Sequence, residues 1–204
     1  MIVEGGRSNR SASLRGRGDE LERASGVLQR VRDTGQATLI VIVGEAGIGK
    51  TAFLNAVVDS GQEAGFATGI GRAHERDQIA PMTPVLEALR SGPSPLLSRA
   101  GFAGLAPLYR HQPWLVDALT GMLEELVLKS PLLIAIDDIH WADQLSMFAL
   151  RIIPRRLAGF PIAWVLTSRP RSMATNELID AVSRDVQVEV LEFGPLAPIA
   201  RTAM

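Results

Sequence analysis

The sequence predicts a three-layer α/β protein built on a parallel sheet, and three observations favour this fold class. Five apolar or β-branched segments alternate with segments whose apolar residues recur at helical spacing. A glycine-rich turn joins the first predicted strand directly to a helix. A later, strongly apolar strand ends in Asp137 and Asp138. Because the carboxyl ends of parallel strands meet at one edge of the sheet, we expect the turn and the aspartates to form a ligand site there.

The first half of the chain is predicted to supply three helices and two strands. Its first strand is a continuous apolar run, as expected of a buried parallel strand, and prolines open the third helix. Gly, Pro and Ser dominate residues 92–104, which we expect to be irregular. The predicted elements are a helix over 20–32, a strand over 38–43, a helix from about 50 to 62, a strand over 66–70 and a helix over 82–89.

The second half continues the alternation of helices and strands. Asp143 is placed to cap the helix that follows the aspartate pair. Pro154 lies inside that helix and is expected to kink or end it, because proline lacks the backbone N–H. The predicted elements are a helix over 114–127, a strand over 132–136, a helix from 143 to 157, a strand over 162–167, a helix over 176–184 and a strand over 186–191.

Composition restricts the class of protein. The chain has 204 residues, with 21 Lys and Arg against 22 Asp and Glu, so no net charge draws it to nucleic acid or to a membrane surface. The absence of cysteine excludes disulfides and fits a reducing compartment. No apolar run approaches the ~20 residues of a membrane span, and residues 1–13 lack the apolar stretch of a signal peptide. We expect a cytoplasmic protein whose residues 1–13 form a disordered tail.

The glycine-rich turn matches the phosphate-binding loop pattern G-x-x-x-x-G-K-[ST] in full. Its glycines permit positive φ, so that consecutive N–H groups turn toward phosphate oxygens at the start of a helix. Lys50 adds a charge for the outer phosphates, and the Thr51 hydroxyl is placed to bind Mg²⁺. We therefore predict nucleoside triphosphate binding rather than a chance glycine turn. The predicted contacts are Gly44, Glu45, Ala46, Gly47, Ile48, Gly49, Lys50 and Thr51.

The aspartate pair is predicted to complete the nucleotide site. Asp137 is assigned to Mg²⁺, largely through coordinated water, as this metal prefers. Asp138 is assigned to the attacking water as its polarising base. Arg169 follows the strand over 162–167, and it reaches the γ-phosphate if that strand lies beside the Asp137 strand. The alternative for Arg169 is an ordinary arginine in a solvent-facing loop.

Two other features have competing interpretations. His140 is either an acid/base group or a loop side chain that packs beside Trp141, and the second is the commoner role for such a residue. Paired arginines at residues 155–156, and those at residues 15 and 17, either contact phosphates or nucleic acid or are solvated, as surface arginines usually are.

Three segments together resemble one known group of proteins. Residues 14–21 resemble a Gly-Arg-x-x-Glu-Leu box, residues 137–143 (Asp-Asp-Ile-His-Trp-Ala-Asp) resemble an extended strand motif, and residues 167–170 (Thr-Ser-Arg-Pro) resemble a sensor segment. All three are found in the AAA-like P-loop ATPase modules of the STAND class, the signal-transduction ATPases with numerous domains. The form of the second segment is most similar to that of large ATP-binding regulators of the LuxR type.

The resemblance implies a P-loop fold with strand order 5-1-4-3-2 and a domain over 14–194. It implies ATP or ADP as ligand with Mg²⁺, slow hydrolysis, and Arg17 beside the adenine. Residues 195–204 would begin a linker to a lid domain, and the expected partners are other domains of the same full-length chain. No direct contact with nucleic acid is expected from this part. Two alternatives are a non-hydrolysing scaffold that depends on ATP or ADP, and a P-loop kinase of small molecules.

Overall fold

A computed structural model describes residues 16–75, 81–91 and 94–194, apart from the side chain of residue 110. Seven helices and five strands alternate in these ranges, and short 3-10 helices cover Ala106–Arg110 and Ile139–Trp141. The helices are α1 Gly18–Thr34, α2 Lys50–Glu63, α3 Thr83–Arg90, α4 Arg99–Leu105, α5 Gln112–Val127, α6 Gln144–Arg156 and α7 Met173–Val182. The strands are β1 Thr38–Gly44, β2 Ala67–Arg72, β3 Leu132–Asp137, β4 Ile162–Ser168 and β5 Gln187–Phe193.

The five strands form one parallel sheet in the order β2-β3-β4-β1-β5. Counted from the other edge, this is the expected order 5-1-4-3-2, and the prediction is confirmed. β3 lies beside β4, so the segments that follow these two strands emerge next to each other. Arg72 is the last residue of β2 and lies opposite Asp137, the last residue of β3.

Helices cover both faces of the sheet, because side chains alternate along each strand. Leu39 and Val41 of β1 belong to a core shared with α3, α5, α6 and α7. Ile40 and Ile42 point the other way, into a core shared with α1 and α2. The three-layer α/β architecture predicted from the sequence is therefore present.

Three of the differences from the predictions concern α4, α6 and α7. α4 forms within the stretch expected to be irregular, where the Ser98 hydroxyl accepts a hydrogen bond from the Gly101 N–H (3.1 Å) and caps the helix. α6 continues two residues past Pro154 and ends in the same turn, at Arg156. α7 begins at Met173, three residues earlier than predicted, since Ser172 caps it.

Parts of the predictions fall on residues that the structure does not describe. The tail over 1–13, the first two residues of the Gly-Arg box and the linker over 195–204 lie outside the described ranges. Within those ranges, no helix combines the length and the apolar character needed to cross a membrane.

Candidate nucleotide-binding site

The phosphate-binding loop connects β1 to α2, and two of its glycines have left-handed backbones. Gly47 has φ 76° and Gly49 has φ 99°. A Cβ atom at either position would meet nothing within 4 Å, so the need for glycine there is conformational. Gly44 is required for a different reason, because its Cβ would lie 2.8 Å from a side-chain carbon of Ile48 and 2.9 Å from Phe193. Gly47 and Gly49 thus have the positive φ predicted from the motif, whereas the same expectation for Gly44 is wrong, because this residue ends β1.

The Lys50 side chain folds back over this loop. Its ammonium donates to the carbonyl oxygens of Gly44 (2.8 Å) and Glu45 (2.9 Å), and the residue is only 6% exposed. Burial lowers the pKa of the Lys50 ammonium, whereas the carboxylates of Asp138 and Asp137 oppose that shift. The charge is held at the centre of the loop, where phosphate oxygens would replace the carbonyl oxygens as partners.

Asp137 joins the loop to β3. Its Oδ2 accepts a hydrogen bond from the Thr51 hydroxyl at 2.8 Å, and its Oδ1 accepts one from the Thr167 hydroxyl at 2.5 Å. The structure thus brings together the two side chains predicted to bind Mg²⁺. A hydroxyl and one carboxylate fit this metal, which takes few protein ligands and completes its shell with water and phosphate oxygens. The described residues contain no group of three or more His, Asp or Glu that could hold a metal ion.

Asp138 has a left-handed backbone, with φ 57° and ψ 43°. Its N–H donates to the Thr167 hydroxyl at 2.8 Å, so that hydroxyl links both aspartates. The carboxylate of Asp138 lies 3.0 Å from the Arg72 guanidinium, measured from Oδ2 to Nη2. The predicted base is therefore already engaged in an ion pair.

Arg72 is a site residue that the sequence analysis missed. It is the last residue of β2, and its Nε lies 3.6 Å from Oδ2 of Asp137 in addition to its contact with Asp138. Its backbone N–H donates to the Glu87 carboxylate of α3 at 2.9 Å. The predicted strand stopped at residue 70. Had it been extended by two residues, Arg72 would have been expected at the same edge of the sheet as Asp137, and this alignment could have identified Arg72 as a site residue.

Arg169 emerges beside the aspartates, as expected if β3 and β4 are neighbours. Its guanidinium lies 5.3 Å above the Trp141 ring, and that ring lies 5.1 Å from the ring of His140. Its charge also lowers the pKa of Lys50, so it belongs to the same group of charges. The segment after Asp138 thus positions Arg169 through a cation–π contact.

His140 packs against Trp141, which is the second of the two predicted interpretations. Both ring nitrogens are buried and have no hydrogen-bond partner in the described part of the chain. Burial lowers the pKa of the imidazole, Asp138 opposes the shift, and Arg169 adds to it. The ring is consequently held in its neutral form near neutral pH.

Arg17 lies at the start of α1 and contacts the end of β5. Its guanidinium donates to the Gly194 carbonyl (2.5 Å) and to Glu20 (2.9 Å), and it lies 4.1 Å from the centre of the Phe193 ring. These contacts connect the Gly-Arg box to the last strand. Arg156, in contrast, pairs with Asp117 on the surface, which agrees with the solvated interpretation.

Comparisons with known proteins agree with this geometry. The family model described as an AAA ATPase domain matches residues 13–165. Cdc6p from Pyrobaculum aerophilum has a TM-score of 0.54 and 17% identity, over 89% of this chain and 46% of that chain. A chain of the HORMA:CdnC:Trip13 complex of E. coli MS115-1 has a TM-score of 0.53 and 17% identity, over 91% of this chain and 65% of that chain. At 17% identity, these similarities show a shared fold and nothing finer.

A curated protein gives a shorter match. An uncharacterised protein of Rhizobium meliloti (strain 1021) is 36% identical over 66 residues, which are 32% of this chain and 6% of that protein. The chain therefore spans only a small part of that relative, and it spans less than two thirds of both structural neighbours. The family model is the broader result, because it covers most of the chain, including the phosphate-binding loop and the aspartate pair. The chain belongs to the AAA ATPase domain family.

Proposed function

We propose that this chain binds ATP together with Mg²⁺ and hydrolyses it slowly, as the nucleotide switch of a larger regulator. One observation carries the proposal: the Thr51 hydroxyl of the phosphate-binding loop lies 2.8 Å from Asp137 Oδ2 at the end of β3. Two motifs that are 86 residues apart in sequence therefore meet as one set of oxygen ligands. Without a nucleotide role, a buried carboxylate and a buried lysine at a glycine loop would lack a common explanation.

Each charged residue has a distinct proposed task. Thr51 and Asp137 would hold Mg²⁺, which offsets the charge of the outer phosphates when bound. Lys50 would bind the outer phosphates directly. Arg169 would contact the γ-phosphate and so distinguish ATP from ADP, while Asp138 would accept the proton of the attacking water once its carboxylate is free.

The regulatory context is proposed from the motif after β3. The Asp-Asp-x-His-Trp-Ala-Asp form resembles that of LuxR-type regulators of the STAND class, which implies other domains of a longer chain as partners. The contact of Arg17 with Gly194 supports a domain that closes near residue 194, with residues 195–204 leading to a lid. In this arrangement Arg17 would brace the segment that approaches the base, and nucleic-acid contacts would belong to other domains.

A second candidate is a nucleotide-dependent scaffold that does not hydrolyse ATP. The ion pair between Asp138 and Arg72 favours it, because a carboxylate engaged by a guanidinium is not free to contact an attacking water. A small-molecule kinase is a third candidate without such an observation. ATP turnover, measured as ADP formation with and without candidate acceptors, separates the three.

The binding proposal is tested with a Lys50→Ala variant in an ATP titration by calorimetry. We expect most of the affinity to be lost, because a charge-assisted phosphate contact contributes about 1.5–3 kcal/mol. Lys129→Ala is the matched control, since Lys129 is the chain's other lysine and precedes the start of β3, whereas the site lies at the carboxyl end of that strand. Unchanged ATP affinity in a folded Lys50→Ala protein would refute the assignment of the loop.

A further inference from the structure

Arg72 stands between the nucleotide site and α3. Its guanidinium lies 3.0 Å from Asp138 and 3.6 Å from Asp137, whereas its backbone N–H donates to Glu87. The side chain of Arg72 is 49% exposed, and that of Asp137 is 4% exposed. A half-exposed cation thus covers a buried carboxylate that is proposed to bind metal.

The other cations of the site have different partners. The Lys50 ammonium is held by two loop carbonyls, and the Arg169 guanidinium lies over the Trp141 ring. In the described ranges, Arg72 is therefore the cation in direct ion-pair contact with both aspartates. The two carboxylates repel each other, and this guanidinium compensates them jointly.

The backbone of Arg72 is fixed independently of its side chain. β2 is an edge strand, so every second N–H points away from the sheet. Glu87 accepts the bond from the outward N–H of Arg72 at 2.9 Å. A Cβ at the preceding Gly71 would lie 2.0 Å from the Pro84 carbonyl, which shows how closely α3 packs there. The strand end is anchored, and the half-exposed guanidinium is the part that can move.

We propose that Arg72 is a positioning residue that holds Asp137 and Asp138 in an ion pair, which Mg²⁺ must displace when the nucleotide binds. The inference rests on the proposed function. A guanidinium and a divalent cation repel each other, so both cannot bind the Asp137 carboxylate at full strength. The displaced guanidinium has an alternative partner of matching geometry in the phosphates. Arg72 would therefore set how much Mg²⁺ the site requires.

The test is an ATP titration by calorimetry over a series of Mg²⁺ concentrations and in EDTA. Arg72→Gln should lower the Mg²⁺ concentration for half-maximal binding roughly two- to fivefold, the range that a half-exposed ion pair supports. In EDTA the same variant should bind ATP more weakly, because a cation near the phosphates is lost. Arg72→Lys keeps the charge without the planar fork, and its Mg²⁺ requirement should lie between those of the parent and Arg72→Gln.

Arg156→Gln is the matched control. Arg156 has a similar exposure (50%) and pairs with Asp117, but it lies at the far end of α6, roughly 20 Å along the helix from its start. The Arg156→Gln variant should therefore have the same Mg²⁺ requirement as the parent. If Arg72→Gln binds Mg-ATP with the parental Mg²⁺ requirement, the inference about Arg72 is wrong, whereas the proposed function stands. A lower melting temperature of the variant would not change that conclusion. If the unmodified chain binds no ATP, the proposed function and the inference both fail.

Discussion

Thr167 determines how the two acidic residues of the site are arranged. Its fully buried hydroxyl donates to the Asp137 carboxylate and accepts the N–H of Asp138. Consecutive side chains of a regular strand point to opposite faces of the sheet. The left-handed turn at Asp138, fixed by this hydrogen bond, instead lets both carboxylates reach the Arg72 guanidinium. Asp137 and Asp138 therefore share one cation, Arg72, but only Asp137 also accepts a hydrogen bond from Thr51.

Single amide substitutions should separate the roles of these two carboxylates. Asp137→Asn should weaken the dependence of ATP binding on Mg²⁺, because it removes the charge beside Thr51. Asp138→Asn should keep Mg-ATP binding but lower turnover about a hundredfold, the smaller end of the range for a general base. Calorimetry and phosphate release measure the two effects, and hydrolysis at the parental rate in both variants would show that the assigned roles are wrong.

Residues within a continuous motif could be predicted from the sequence, whereas residues placed by strand register could not. The loop lysine and threonine are located by spacing alone, and Asp137 by its place at the end of an apolar strand. Arg72 becomes a site residue only when β2 and β3 are aligned, and β2 is a weak strand in sequence because it contains two glycines. Trp141 likewise acquires its contact with Arg169 only after β3 and β4 become neighbours.

At the scale of elements, close packing explains features that propensity alone misjudges. A Cβ at Gly69 would lie 2.0 Å from the Ala88 carbonyl, so the glycines of β2 admit α3 against the strand. α4 was expected to be irregular, and it contains two glycines. It forms because Ser98 caps its start and the buried Leu105 packs its end into the core. α6 ends two residues after Pro154, in keeping with a residue that has no N–H to donate to the carbonyl one turn earlier.

Asp143 links two elements, and its removal should destabilise the fold without disabling the site. Its carboxylate accepts the Ser146 N–H (2.9 Å) at the start of α6 and the Met82 N–H (3.1 Å) before α3, and it is 7% exposed. We expect Asp143→Ala to lower the free energy of unfolding by about 2–3 kcal/mol, a lost cap plus an unsatisfied buried N–H. Chemical denaturation measures this loss.

The control for that experiment is Ser172→Ala, which removes the cap of α7 and the hydrogen bond that the Ser172 hydroxyl accepts from the Thr175 hydroxyl (3.0 Å). The Ser172 hydroxyl accepts the Thr175 N–H at 3.4 Å, a longer bond than those of Asp143. We expect Ser172→Ala to lower the free energy of unfolding by about 1 kcal/mol or less. Nucleotide affinity per folded molecule should match the parent in both variants. Equal destabilisation by the two substitutions would show that the link from Asp143 to Met82 contributes nothing.

At the scale of the whole molecule, the charged groups of the site converge on one edge of the sheet. Lys50, Asp137, Asp138 and Arg169 all follow the carboxyl ends of β1, β3 and β4, as the parallel topology requires. These are the groups proposed to contact the phosphates and the metal. The residue assigned to the base, Arg17, is instead bonded to Gly194 and Glu20. The described residues therefore supply a strong phosphate end and few groups that read the base.

This imbalance predicts weak base selectivity. ATP and GTP should bind with affinities that differ by less than tenfold, about 1.4 kcal/mol, and both should weaken with added salt, as exposed charge pairs do. Inorganic tripolyphosphate with Mg²⁺ is the informative competitor, because it shares the phosphate contacts and has no base. Competition titrations at several salt concentrations measure all three ligands. A tenfold or greater preference for ATP would mean that the Gly-Arg box already folds over the adenine and recognises it.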